Sequence, residues 1–149
     1  MGLFTAMEIS GSGMTAERLR LDVIASNLAN AETTRTPQGG PYRRRLVVMA
    51  PRYGGSFRSV LEAFRRGAGG YVPAGTRVVG IIADPSPFKT RYDPHHPDAG
   101  PDGYVRYPNV EVVQEMVDLI TATRAYEANA TALAAFKTMF QKALELGRR

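Results

Sequence analysis

NVEVVQEMVDLITATRAYEANATALAAFKTMFQKALELG, residues 109–147, holds no proline and no glycine before its last position. Steps of four and three from Val112 pass through Met116, Leu119, Thr123, Tyr126, Ala130, Leu133, Lys137, Phe140 and Leu144. Eight of these ten positions are apolar, which makes a heptad-like stripe along one helix face. Val113, Val117, Ile120 and Phe136 widen the stripe. Pro108-Asn109 supplies a start, because the residue before proline avoids helix and Asn is a favoured cap. Gly147 supplies the stop. The spacing predicts one helix of roughly 38 residues, about 57 Å long at about 1.5 Å per residue. A compact chain of 149 residues is only about 40 Å across. Such a helix projects from any globule this chain can build. Each stripe side chain left in water forgoes about 1.5–3 kcal/mol, so the stripe demands a cover.

The nearest cover lies at the other end of the chain. Leu3, Met7, Ser10, Met14, Glu17, Leu21, Ile24 and Leu28 form a second seam in which six of eight positions are apolar. Gly11 and Gly13 interrupt it, each costing about 1 kcal/mol relative to Ala, so a break or a bend is expected there. Between the helices lie nine of the ten prolines. Thr36 to Pro41 reads as a turn. Tyr42 to Met49, Arg77 to Ala83 and Phe88 to Tyr92 read as strands, and Ser56 to Arg66 as a short helix. The expected class is α+β. Long N- and C-terminal helices (residues 1–32 and 108–149) pair as a coiled-coil-like assembly domain, with a small β-rich domain (33–107) inserted between them. Helix flanks that one partner cannot cover favour packing between subunits. A monomeric two-helix stalk is the alternative.

Composition narrows the chemistry. The chain has no cysteine, which excludes disulfides, thiol catalysis and Cys-type zinc sites. Its two histidines are adjacent, His95 and His96, so most histidine-based catalytic layouts are out of reach. They sit with Asp93, Asp98 and Asp102 in a proline-rich loop that reads as a structured turn rather than a metal site. No enzyme constellation and no cofactor motif emerges. No run of 18 apolar residues is present, which argues against a spanning helix. No basic-then-apolar leader opens the chain, so no cleaved signal peptide is expected. The net charge is +5, and Arg43, Arg44, Arg45, Arg52, Arg58, Arg65 and Arg66 face only Glu62 in their stretch. The Arg43–Arg66 region is thus the basis of an alternative reading, a nucleic-acid-binding module, against a solvated face or a patch for an acidic protein.

Ile24-Ala-Ser-Asn-Leu-Ala-Asn-Ala-Glu-Thr-Thr34 resembles the N-terminal signature of bacterial flagellar rod, hook and hook-associated proteins. Residues 109–129 resemble the matching C-terminal helix of the same axial proteins. Thr33-Thr-Arg-Thr-Pro-Gln-Gly-Gly-Pro-Tyr-Arg-Arg44, Asp84-Pro-Ser-Pro-Phe-Lys89 and Tyr92-Asp-Pro-His-His-Pro-Asp98 are similar to the proximal rod members. The resemblance covers nearly the whole chain and is weakest over Pro51 to Ala74; Glu32 departs from the Asn usual there. It implies a structural subunit of the basal-body rod, the drive shaft for motility. Its implied partners are other proximal and distal rod subunits, the adaptor between membrane ring and rod base, and the flagellar type III export apparatus. The implied location is the rod in the periplasm, reached without a cleaved signal peptide. No small-molecule substrate is implied.

The assembly interface is expected at Met7, Met14, Leu21, Ile24, Leu28, Val112, Met116, Leu119, Tyr126, Leu133, Phe140 and Leu144. Asn27 and Asn30 share a helix face. They read equally as an intersubunit hydrogen-bonded pair that fixes register, or as an exposed Asn27 beside a helix end at Asn30.

Overall fold

The computed structural model describes residues 3–54, 61, 64, 65 and 72–147. Helix α1 (Leu3–Ala29) is followed by strands β1 (Arg45–Gly54), β2 (Val72–Ala83), β3 (Lys89–Tyr92) and β4 (Tyr104–Tyr107), then helix α2 (Val112–Leu146). The class is α+β, as the sequence predicts. β1 pairs with β2, and β3 pairs antiparallel with β4 in the register Lys89↔Tyr107 to Tyr92↔Tyr104. The short helix expected over 56–66 lies largely outside the described residues.

Helix α2 runs 35 residues without interruption. Its first backbone bond is donated by the Glu115 N–H to the Glu111 carbonyl, 2.9 Å. Asn109 is therefore not the cap that the sequence suggested; its side chain is engaged elsewhere. Helix α1 is also continuous, with no break at Gly11 to Gly13. It ends where the Asn30 N–H bonds to the carbonyls of Ser26 and Asn27, both at 3.2 Å. The Thr36–Pro41 turn is closed by the Thr36 N–H on the Gly40 carbonyl at 2.9 Å, with Gly39 and Gly40 at φ 87° and 77°. Those left-handed angles are open to glycine and strained for most other residues. Strand β4 was not read from the sequence; it lies behind Gly103 in the four-residue run Tyr104-Val-Arg-Tyr107.

The chain forms two compact units. One draws on Met1–Arg18, Met49–Val79 and Thr123–Arg149. Within it α1 and α2 run antiparallel: the Phe4 and Phe140 rings meet edge-on at 5.6 Å, and Gly13 lies against Asn129. A Cβ at residue 13 would stand 3.1 Å from the Asn129 amide, so the glycine sets how closely the helices approach. β2 touches α1 where the Thr76 N–H donates to Ser12 Oγ at 3.0 Å. Gly75 makes this approach possible, since a Cβ there would fall 2.1 Å from the same oxygen.

The other unit comprises Leu19–Val48 and Gly80–Ala122. Its buried apolar residues are Val23, Ile24, Tyr42, Val105, Val110 and Ala122. Here too the helices are antiparallel, Arg20 facing Asp118 at 3.8 Å and Asn27 facing Glu115 at 3.0 Å.

The buried helix faces are rotated from the seams counted in the sequence. On α1 the buried positions are Ser10, Ala16, Val23, Ile24 and Asn27, while Met14, Leu21 and Leu28 are half-buried. On α2 they are Glu115 and Ala122, with Asn129 and Phe136 half-buried at the next heptad steps. Small and polar residues occupy the line of closest approach because they let backbones come near. A count of large apolar residues overlooks that line.

Candidate functional site

Three segments converge on a polar cluster inside the second unit. Arg44 immediately precedes β1, which Arg45 opens, Asp84 to Ser86 follow β2, and Asn109 precedes α2. Asn27, on the last turn of α1, and Glu115, on the first turn of α2, are each only 1% exposed. The Asn27 amide donates to Glu115 Oε2 at 3.0 Å and to the Arg45 carbonyl at 2.9 Å. Its oxygen accepts from the Tyr42 hydroxyl and from the Arg45 N–H, both at 3.0 Å. Both its N–H groups and both its lone pairs are used. Asn27 is therefore an internal anchor rather than the exposed residue of the second reading. Asn30 does end the helix, donating to the Ser26 carbonyl at 2.9 Å and accepting from Thr33 at 3.2 Å.

Glu115 brings a carboxylate into this buried site, which is costly unless paired. Arg44 pairs it, Nε to Oε1 at 2.6 Å. The same guanidinium reaches Asp118 at 3.3 Å and Asp84 at 3.7 Å. Asn109 Oδ1 accepts the Arg44 N–H at 2.8 Å, and its amide donates to Ser86 Oγ at 2.8 Å. The Ser86 N–H and hydroxyl hold the Asp84 carboxyl below the usual carboxylate range, with a smaller contribution from Arg44. What the cluster does is mechanical: it ties the end of α1, the start of α2 and the start of β1 into one arrangement.

That arrangement decides what α2 presents outward. With Glu115 and Ala122 inside, Val112, Val113, Met116, Val117 and Ile120 turn away from the buried line and are exposed, Val113 by 69%. Five large apolar side chains on two and a half turns of helix make a contiguous patch, the kind that marks an interaction surface. Of the interface residues expected from sequence, Val112 and Met116 lie in this patch, and Leu144 is exposed near the end of α2. Ile24 is buried within the chain. Met7, Met14, Leu21, Leu28, Leu119, Tyr126, Leu133 and Phe140 are half-buried. Arg44, Tyr42, Asp84, Asn109 and Glu115 were missed as a group. The available signal was a lone acid, Glu115, inside the run Val112-Val113-Gln114-Glu115-Met116-Val117.

Part of the arginine-rich stretch is engaged within the chain. Arg43 donates to the Asp84 carbonyl at 2.9 Å and lies 4.4 Å over the Phe88 ring. Arg44 belongs to the cluster, and Arg52 pairs with Glu8 at 3.7 Å. Arg58 and Arg66 lie outside the described residues. In the histidine loop, His96 Nδ1 accepts the Asp98 N–H at 3.1 Å and Asp98 accepts the Thr34 hydroxyl at 2.7 Å. Among the described residues no group of three or more acidic or histidine side chains is placed to hold a metal, and no helix is long and apolar enough to cross a membrane.

Residues 7–35 match the family model of flagella basal body rod proteins, and residues 102–146 match that of the flagellar basal body rod FlgEFG protein C-terminal region. The chain is 46% identical over 153 residues to flagellar basal-body rod protein FlgC of Borreliella burgdorferi, covering 98% of each. It is 46% identical over 152 residues to that of Bacillus subtilis, covering 99% of this chain and 100% of the relative. Against FlgC of Salmonella typhimurium the identity is 39% over 148 residues, with 99% and 100% covered.

Proposed function

The chain belongs to the FlgC family of flagellar basal-body rod proteins, and we propose that it assembles through the outward apolar face of α2. It is a structural subunit of the flagellar basal body that serves motility, and it is not an enzyme. It assembles with other components of the rod.

The single observation that carries the proposed interface is the exposed run Val112, Val113, Met116, Val117 and Ile120. Burying each such side chain gains about 1.5–3 kcal/mol, and α1 already occupies the other side of α2. In this reading residues 1–32 and 108–149 are the assembly segments and 33–107 the outer layer. The half-buried seam residues Met7, Met14, Leu21, Leu28, Leu119, Tyr126, Leu133 and Phe140 hold the helix pair, and Leu144 with the α2 patch meets neighbours. The same reading places the subunit in the proximal rod, in the periplasm, next to the adaptor at the rod base, after passage through the flagellar type III export apparatus. The nucleic-acid reading of Arg43–Arg66 has no support, since Arg43, Arg44 and Arg52 are engaged within the chain. The test is incorporation: Val113→Glu with Val117→Glu should remove the subunit from isolated basal bodies and abolish swimming.

A further inference from the structure

The β3–β4 hairpin carries a second surface that the helix interface does not use. In its register Thr90 faces Arg106 and Tyr92 faces Tyr104, so these four share one side of the hairpin. Val105, on the other side, is fully buried. Tyr92 and Tyr104 are 64% and 53% exposed, yet their rings are held edge to face at 5.3 Å. The Tyr92 ring also rests on the turn. Gly103 sits at φ +74°, and a Cβ there would meet the ring at 2.8 Å. The aromatic pair is thus fixed before anything binds, so little ordering entropy remains to oppose binding.

Beside the pair lies an open groove of 410 Å³ whose lining includes Tyr104, Arg106, Arg35, Thr34, Pro41 and Asp98. Arg35 and Arg106 are exposed, and neither guanidinium has an ion-pair or hydrogen-bond partner among the described residues. Asp98, the one acid in the lining, accepts the Thr34 hydroxyl at 2.7 Å. Tyrosine with arginine is the composition enriched where interfaces concentrate their binding energy. We propose that this face, Tyr92, Tyr104 and Arg106 with Arg35 in the adjoining groove, docks an acidic segment of a protein other than this chain. Charge decides the occupant: two unpaired arginines ask for carboxylates, and another copy would bring a net charge of +5 toward them.

The test uses the full chain, a fluorescent Asp/Glu-rich peptide, the same peptide with Asn/Gln, and a single-stranded oligonucleotide of equal charge. Fluorescence anisotropy near physiological salt reads the affinity. Removing two central arginines should weaken the acidic peptide about tenfold or more, so Arg35→Ala with Arg106→Ala is the first variant. Tyr104→Ala, which leaves charge unchanged, should weaken it about threefold or more. Arg77→Ala with Arg124→Ala, equal in charge and elsewhere, should change it less than about twofold. Equal losses in both arginine pairs would show attraction to charge alone and overturn the proposal. So would an oligonucleotide bound as tightly and lost in the same variants, or no measurable binding of the acidic peptide. Because this surface is separate from α2, a positive result stands even if the helix-face interface fails its own test.

Discussion

Glu115 places a negative charge where only 1% of the residue meets solvent. A buried ion pair is not stabilising by default, but stripping it of one partner leaves the other charge uncompensated. Glu115→Ala should therefore lower the unfolding free energy by about 3–5 kcal/mol, read from urea titration. A loss under about 1 kcal/mol would mean that Arg44 finds water instead. Asp84 offers a test by pH. Its native value is depressed, so its contribution is present above the unfolded value of about 3.9 and is lost as pH falls below that. Asp84→Asn should flatten the fall in urea midpoint below about pH 4 and leave the neutral-pH slope unchanged. Of this cluster only Asn27 stands out in the sequence, and its partners do not. Arg44 stands in a triple arginine that reads as surface charge, and its partners lie 40 to 74 residues away, a separation no local pattern encodes.

At the scale of elements, the sequence is clearest where periodicity runs longest. Both terminal helices, the β2 strand and the Thr36–Pro41 turn are readable because each rests on local chemistry. The rotation of each helix about its axis is not, because the contact line runs through Ser10, Gly13, Ala16 and Asn27 rather than through the largest side chains. The two glycines of α1 separate propensity from packing. Nothing lies within 4 Å of a Cβ at Gly11, so Gly11→Ala should stabilise the isolated chain by about 1 kcal/mol in urea unfolding. Gly13→Leu should destabilise it, since even a Cβ there stands 3.1 Å from Asn129. Equal effects at both positions would contradict close packing at residue 13. β4 went unread because a four-residue strand carries too few alternations, and its pairing with β3 depends on the intervening turns.

For the whole molecule, the internal contacts and the unfilled surface have to be considered together. The polar cluster and the α1 contact absorb one side of α2, and five large apolar side chains remain on another. In a structural subunit of the basal-body rod, neighbours are the natural cover for them. The proposed assembly contact on this face is separable from folding. The decisive measurement expresses the Val113→Glu, Val117→Glu chain in a flagellated host lacking its own copy and quantifies the subunit in isolated basal bodies. The urea midpoint of the purified chain should stay unchanged, incorporation and swimming should be lost, and Gln114→Glu with Thr121→Glu, on the polar flank, should assemble normally. Wild-type incorporation of the Val113→Glu, Val117→Glu chain would mean that neighbours pack elsewhere on the subunit.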